Sequence, residues 1–351
     1  MYTLNNTIND ILNDEVVMAH FGYMMPLAFL QIVPNEFRDI PLSEVIKTVK
    51  MPWGTPYLGQ EVANVATLVH EIIDSDSYEF TQLWAEETPA DFFPATDGQK
   101  MHVGLLKFMD SFKENRKMAL VVPGGAYESV AISNEGIEVA KRLEQAGYAV
   151  AVLNYRCQPN RYPIPQMDLV LAIKYMRSYA SKYNLQDDLM VVGFSAGGHL
   201  VASEACYYQE NEKTLMEELK KDSQVLFQKF VKLSAKPDSL VLAYPVINFV
   251  SEQHEQSFEN ISGGDESLRE KLSIDLHVTS DYPKTFVWAC DDDELVPPSN
   301  ASRMYEALKN VGVEAGYKSY PTGGHGIATG FGTSAEKWID DMLSWMQETV
   351  S

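Results

Sequence analysis

Ser195 lies at the centre of Gly193-Phe194-Ser195-Ala196-Gly197, and this stretch limits what the chain can fold into more than any other. The run before it, Leu189-Met190-Val191-Val192, is apolar and partly β-branched, as a buried parallel strand is. The residues after it, 196–207, are rich in Ala, Leu and Val and read as a helix. A strand must therefore turn sharply into a helix at a serine. Glycine two positions to either side lets neighbouring backbone approach without a Cβ clash. The hydroxyl is then exposed over a helix N-terminus, which favours developing negative charge. The competing reading is an ordinary glycine-rich turn, so the partners of the serine decide.

A serine hydroxyl needs a base to take its proton and a carboxylate to orient that base. With a serine on a strand–turn–helix elbow, the chain order is Ser, then Asp or Glu, then His. Downstream, apart from the adjacent His199, stand His254, His277 and His325. His325 occupies the glycine-rich Pro321-Thr322-Gly323-Gly324-His325-Gly326, after an expected strand at 315–320 and before an expected helix at 334–348. It is the expected base. The acid comes from Asp291-Asp292-Asp293-Glu294, which follows an apolar strand at 285–289. Asp293 is chosen because it stands four residues before Pro297 in a D-x-x-V-P pattern, with Asp292 second. Solvation of a loop tip would equally explain four adjacent acids.

An oxyanion needs backbone N–H donors. One is expected at Ala196, after the nucleophile. The others are expected at Gly125 and Ala126, in Pro123-Gly124-Gly125-Ala126-Tyr127 directly after the strand at 118–122. Tyr127 would then flank the acyl pocket. His199, one helical turn past the serine, reads as a packed, hydrogen-bonded histidine.

Several ordered blocks together resemble the α/β-hydrolase esterases grouped around acetyl xylan esterases and related carbohydrate acyl esterases. They are the Pro123–Tyr127 loop, Leu153-Asn154-Tyr155-Arg156, Tyr162-Pro163-Ile164-Pro165 with Asp168, and the Ser195 elbow through Leu200. Ala243-Tyr244-Pro245-Val246, the Asp292–Pro297 block, Asn300 and Gly324-His325-Gly326 complete the set. The resemblance runs from about residue 100 to the C-terminus. It implies serine-based hydrolysis of short acyl esters of sugars, without a cofactor. Ala126 departs from the family's third glycine; its N–H survives, with less backbone freedom. An amide or peptide hydrolase of the same fold, or an inactive ligand-binding descendant, is the alternative.

From residue 118 onward, expected strands and helices alternate, which implies a mostly parallel central sheet with helices on both faces. Residues 78–84 and 103–109 read as edge strands opening that sheet. Residues 1–77 read as a helical appendage, and 78–351 as the catalytic domain. Within the appendage, Val62, Val65, Ala66, Val69, Ile72 and Ile73 form one apolar helix face. Phe21, Tyr23, Met24, Met25 and Phe29 are dense before it. Packing on the body is the first expectation for this part, and a lid or dimer surface, hence a homo-oligomer, the second. Residues 209–236 are highly charged and read as a solvated helical hairpin, with a cap over the nucleophile as the alternative.

The net charge of −21 opposes nucleic acid and anionic membrane as partners. Cys157, Cys206 and Cys290 read as buried free thiols in a reducing compartment. His20, His70 and His102 show no metal-ligand spacing. The apolar stretch 16–34 is interrupted by His20, Gly22, Pro26 and Gln31, and no basic leading region precedes it. A cytoplasmic protein acting on a small ester is expected, with an acylated sugar as the substrate class.

Overall fold

The computed structural model describes residues 1–21, 30–31, 33–49, 59–85 and 100–348. Eight strands form one sheet: β1 Tyr78–Gln82, β2 Gly104–Phe108, β3 Met118–Val122, β4 Ala149–Asn154, β5 Leu189–Phe194, β6 Ser239–Ala243, β7 Lys284–Cys290 and β8 Ala315–Tyr320. Their order is β1-β2-β4-β3-β5-β6-β7-β8. Only β2 runs against its neighbours; β3 to β8 are parallel. Every residue of β3, β4, β5 and β6 is buried. That is why these strands read as continuous apolar runs rather than alternating ones.

Eleven α-helices are found among the described residues. In the first part of the chain lie α1 Ile8–Leu12, α2 Glu15–Phe21, α3 Leu42–Thr48 and α4 Gly59–Asp74. Around the sheet follow α5 Val139–Gln145, α6 Ile164–Lys182, α7 Ser195–Asp222, α8 Gln224–Phe230, α9 Glu255–Ser262, α10 Ser299–Asn310 and α11 Trp338–Glu348. This is the expected α/β-hydrolase architecture with a helical N-terminal part. β1 is an edge strand as expected, whereas β2 lies between β1 and β4.

One apolar core is continuous from Ile8, Val17 and Val45 through α4 to the sheet. Val62, Val65, Ala66, Val69 and Ile72 of α4 are buried, but Ile73 is 38% exposed. Tyr23, Met24, Met25 and Phe29 lie outside the described residues, as does the side chain of Phe21. Helix α6 is buried on nearly all sides, including Asp168 and Lys174, so the single face expected from Leu169, Ile173 and Met176 understates its burial.

The charged stretch 209–236 is not a separate hairpin. Helix α7 passes a non-helical residue, Tyr207, and runs on to Asp222, where Ser223 caps α8. This part docks on α6. The fully buried Lys174 ammonium reaches Glu212 at 2.5 Å and donates to the carbonyls of Phe230 and Leu233. Leu215, Leu219, Leu226 and Phe230 are buried beneath the charged surface. The last helix starts at Trp338 rather than at 334, because the Ser334 hydroxyl is held by Thr322 of the loop after β8.

Candidate active site

Strand β5 delivers Ser195 to the start of α7 with a φ of 50°, a left-handed conformation that strains any non-glycine residue. The glycines around it are required by contact distance. A Cβ on Gly197 would lie 2.3 Å from the carbonyl oxygens of Val122 and Pro123, and one on Gly193 would lie 2.6 Å from that of Gly197. The turn at Ser195 is thus wedged against the end of β3.

The three expected residues meet. Ser195 Oγ is 2.8 Å from His325 Nε2, and His325 Nδ1 is 2.7 Å from Asp293 Oδ2. All three are buried. An ionised carboxylate can only accept, so the Nδ1–H donates to Asp293 and Nε2 is left to accept the serine proton. Asp293 Oδ1 accepts the N–H groups of Leu295 (3.0 Å) and Val296 (2.9 Å), which locks the carboxylate plane. Asp292 does a different job. Its Oδ1 accepts the N–H groups of Gly323 (2.9 Å) and Gly324 (2.8 Å), and its Oδ2 also accepts that of Gly323 (3.2 Å), just before His325. Asp291 bonds the Ser319 hydroxyl, and Glu294 is exposed.

The loop after β3 turns back over Ser195 through three successive residues of positive φ: Gly125 at 122°, Ala126 at 55° and Tyr127 at 57°. A Cβ on Gly125 would meet the Ser129 carbonyl oxygen at 2.2 Å. Ala126 accepts the strain that its glycine counterpart would avoid, and the Asn260 side chain of α9 holds its carbonyl at 2.8 Å. The Gly124 N–H is occupied by Glu135 at 2.6 Å. Among the described residues no acceptor takes the N–H of Gly125, Ala126 or Ala196.

The Tyr127 side chain, expected to flank the acyl pocket, is fully buried. Its hydroxyl donates to His199 Nδ1 at 2.7 Å, and His199 Nε2–H donates to the Leu272 carbonyl at 2.8 Å. His199 is therefore a packed core histidine, and burial pushes its pKa down to about 4.

Other neighbours had no role assigned from sequence. The Tyr244 ring meets the His325 imidazole edge-on, with centroids 4.9 Å apart. His254, half-buried before α9, bonds Ser257 Oγ through Nδ1 at 2.8 Å. Burial, then the charge of the nearby His325, holds the His254 imidazole below its ordinary range. Buried Asn134 and Glu135 line up in a π-helical turn, Ile132–Glu138. Nothing in their sequence context marks them, because the turn breaks the 3.6-residue period. Among the described residues no group of three His, Cys, Asp or Glu side chains is arranged to hold a metal ion, and no helix is long and apolar enough to cross a membrane.

The chain is similar to known carbohydrate-active proteins. It is 27% identical over 253 residues to endo-1,4-beta-xylanase B of Butyrivibrio fibrisolvens, which covers 70% of this chain and 38% of that protein. It is 28% identical over 242 residues to an acetylxylan esterase of Xylanibacter ruminicola, covering 64% of this chain and 44% of the relative. The chain thus spans about two fifths of the length of these relatives. Among solved structures, an acetyl ester-xyloside bifunctional hydrolase from Caldicellulosiruptor lactoaceticus superposes with a TM-score of 0.63 at 27% identity, over 77% of this chain and 96% of the other. A carboxylesterase from Lactobacillus plantarum shares the fold at 22% identity, with a TM-score of 0.54, over 70% of this chain and 93% of its own. The BD-FAE family profile matches residues 108–308, more than half of the chain, from the end of β2 through Ser195 and Asp293 into α10, and the chain belongs to the BD-FAE family.

Proposed function

We propose that this protein is a serine esterase that cleaves short acyl esters, acetyl esters first, of carbohydrates or similar small alcohols. The observation that carries the reading is the unbroken hydrogen-bonded chain Ser195–His325–Asp293 at a strained strand-to-helix turn. The relatives named for acetylxylan and acetyl ester hydrolysis support the substrate class.

In this mechanism His325 Nε2 takes the Ser195 proton as Oγ attacks the ester carbonyl carbon. Asp293 stabilises the imidazolium and keeps Nδ1 protonated. The N–H groups of Ala196, Ala126 and Gly125 receive the oxyanion. His325 then gives its proton to the departing sugar oxygen, leaving an acyl-Ser195. Water, deprotonated by the same imidazole, attacks the acyl carbon, and Oγ leaves with the proton returned. Residues 1–77 serve as a helical appendage to a catalytic domain at 78–351. Unpaired thiols at Cys157, Cys206 and Cys290, the last two pushed up to about 12 by burial, suit a reducing cytoplasm.

The test is hydrolysis of p-nitrophenyl acetate, butyrate and octanoate by wild type and Ser195→Ala in parallel, followed by acetylated xylo-oligosaccharides. Serine-dependent cleavage that falls with acyl length supports the reading. Cleavage undiminished in Ser195→Ala refutes it, and cleavage of amides alone transfers the same machinery to an amidase.

A further inference from the structure

A second buried acid, apart from the triad, links the pieces that surround the nucleophile. Glu135 is 3% exposed in the π-helical turn that follows the oxyanion loop. Its Oε2 accepts the Gly124 N–H at 2.6 Å. Its Oε1 accepts the Tyr244 O–H at 3.0 Å. The Tyr244 oxygen in turn accepts the N–H of Ala328 at 3.0 Å, three residues beyond the base. Next to it, Asn134 Nδ2 donates to the Gly326 carbonyl at 3.4 Å, one residue beyond the base.

Each end of this chain of bonds touches the reacting groups. Gly124 lies so close to the nucleophile that a Cβ on it would fall 2.7 Å from Ser195 Cβ. Tyr244 packs its ring against the His325 imidazole. Tyr244 and Ala328 have φ of 36° and 49°, so two non-glycine residues are held in the left-handed region where the chain is gripped. Burial raises the pKa of Glu135, and the Gly124 N–H, the His325 charge and the Tyr244 hydroxyl oppose that rise. An acid in such a place is a poor way to fill a core, since an apolar side chain of equal volume would avoid the desolvation. Its two acceptor oxygens match the two donors that face them.

We infer that Glu135 is a positioning residue for acyl transfer: one buried carboxyl sets the oxyanion loop through Gly124 and the base loop through Tyr244 and Ala328, so that donors and base keep a common register around Ser195. The inference rests on the reading of Ser195 and His325 as the reacting pair. Glu135 itself touches no substrate.

Two variants separate this from simple packing. In Glu135→Gln the amide oxygen can still take the Gly124 N–H, but its NH2 meets the Tyr244 hydroxyl, which must turn. Tyr244→Phe leaves the Gly124 bond and removes both the Glu135–Tyr244 bond and the link to Ala328. The readout is covalent labelling of Ser195 by an alkyl fluorophosphonate, in which Oγ displaces fluoride and the proton passes to His325. Saturation curves yield kinact and KI, and melting temperatures are taken alongside. Each single variant should lower kinact by on the order of tenfold or more with KI within about threefold, since small misplacements of reacting groups have effects of that size. The double variant should be no slower than the slower single, because both cut one chain. Wild-type kinact in both singles, or losses that multiply in the double, would overturn the inference. If Glu135→Gln fails to fold, Tyr244→Phe decides alone, and wild-type kinact there is refuting. Ester hydrolysis is read in the same samples. A wild type that labels at Ser195 yet cleaves no ester removes the proposed function and leaves the clamp standing, whereas one that does not label at all removes both.

Discussion

Changing Asp293 to Asn tests the triad more sharply than removing the nucleophile, because the surrounding bonds dictate what the new amide must do. Asp293 Oδ1 accepts two backbone N–H groups, from Leu295 and Val296. In Asp293→Asn only the amide oxygen can accept them, so the NH2 is forced toward His325. It then donates to Nδ1, and the imidazole proton moves to Nε2, the nitrogen that should accept from Ser195. The base is blocked without any change of shape. Losing the correct tautomer in such a triad lowers turnover by on the order of ten thousandfold, about 5 kcal/mol of barrier. Asp292→Asn is the matched control. The shorter bonds from Gly323 and Gly324 both reach Oδ1, which an Asn oxygen can replace, and only the longer 3.2 Å contact of the Gly323 N–H to Oδ2 is lost. A loss within about tenfold is expected there, equivalent to one weakened hydrogen bond. Initial rates on p-nitrophenyl acetate, with circular dichroism to verify folding, measure both. Asp292→Asn as the more damaging change, or Asp293→Asn within tenfold of wild type, would refute the assignment of the acid.

Further outcomes are expected on stability and cofactor dependence. Gly197→Ala should destabilise the fold by roughly 1–3 kcal/mol or abolish soluble expression, since its Cβ would collide with two backbone carbonyls at 2.3 Å; a variant with wild-type thermal stability would contradict the close approach. His199 is held neutral with its pKa at about 4 against an ordinary 6.5. Its contribution, about 3 kcal/mol at 1.36 kcal/mol per pH unit, is complete above pH 6.5 and is lost as pH falls toward 4, because the unfolded chain binds the proton first. Urea denaturation of wild type and His199→Gln across that range should show a flatter pH dependence in the variant, and parallel curves would be the contrary result. Treatment with EDTA should leave ester turnover unchanged, since the nucleophile, base and oxyanion donors are all protein groups; a clear loss would point to a metal in the reaction.

Ser195 and His325 were readable from sequence as a candidate pair because each is marked locally. A serine between glycines at a strand–helix boundary has few physical explanations, and a histidine in a glycine-rich loop near the last helix completes the required chain order. The parallel strands were readable because burial on both faces removes polar residues from β3 to β6. Tyr127 shows where such reading ends. Its position after the oxyanion loop is fixed by sequence, but a φ of 57° turns its side chain into the core toward His199. The charge pattern of 209–236 likewise described one surface of a helix and missed the apolar side that docks on α6.

By itself the sequence determined the fold class and the order of its elements and singled out Ser195 and His325 as candidates, because these follow from local periodicity and turn chemistry. Only the tertiary structure told Asp293 and Asp292 apart, neighbours of identical chemistry whose backbone directions send one carboxylate to His325 and the other to Gly323 and Gly324. It alone brought Glu135, Tyr244 and Ala328 together. Those residues lie 109 and 84 positions apart in turn, and contacts across such separations leave no local pattern to read.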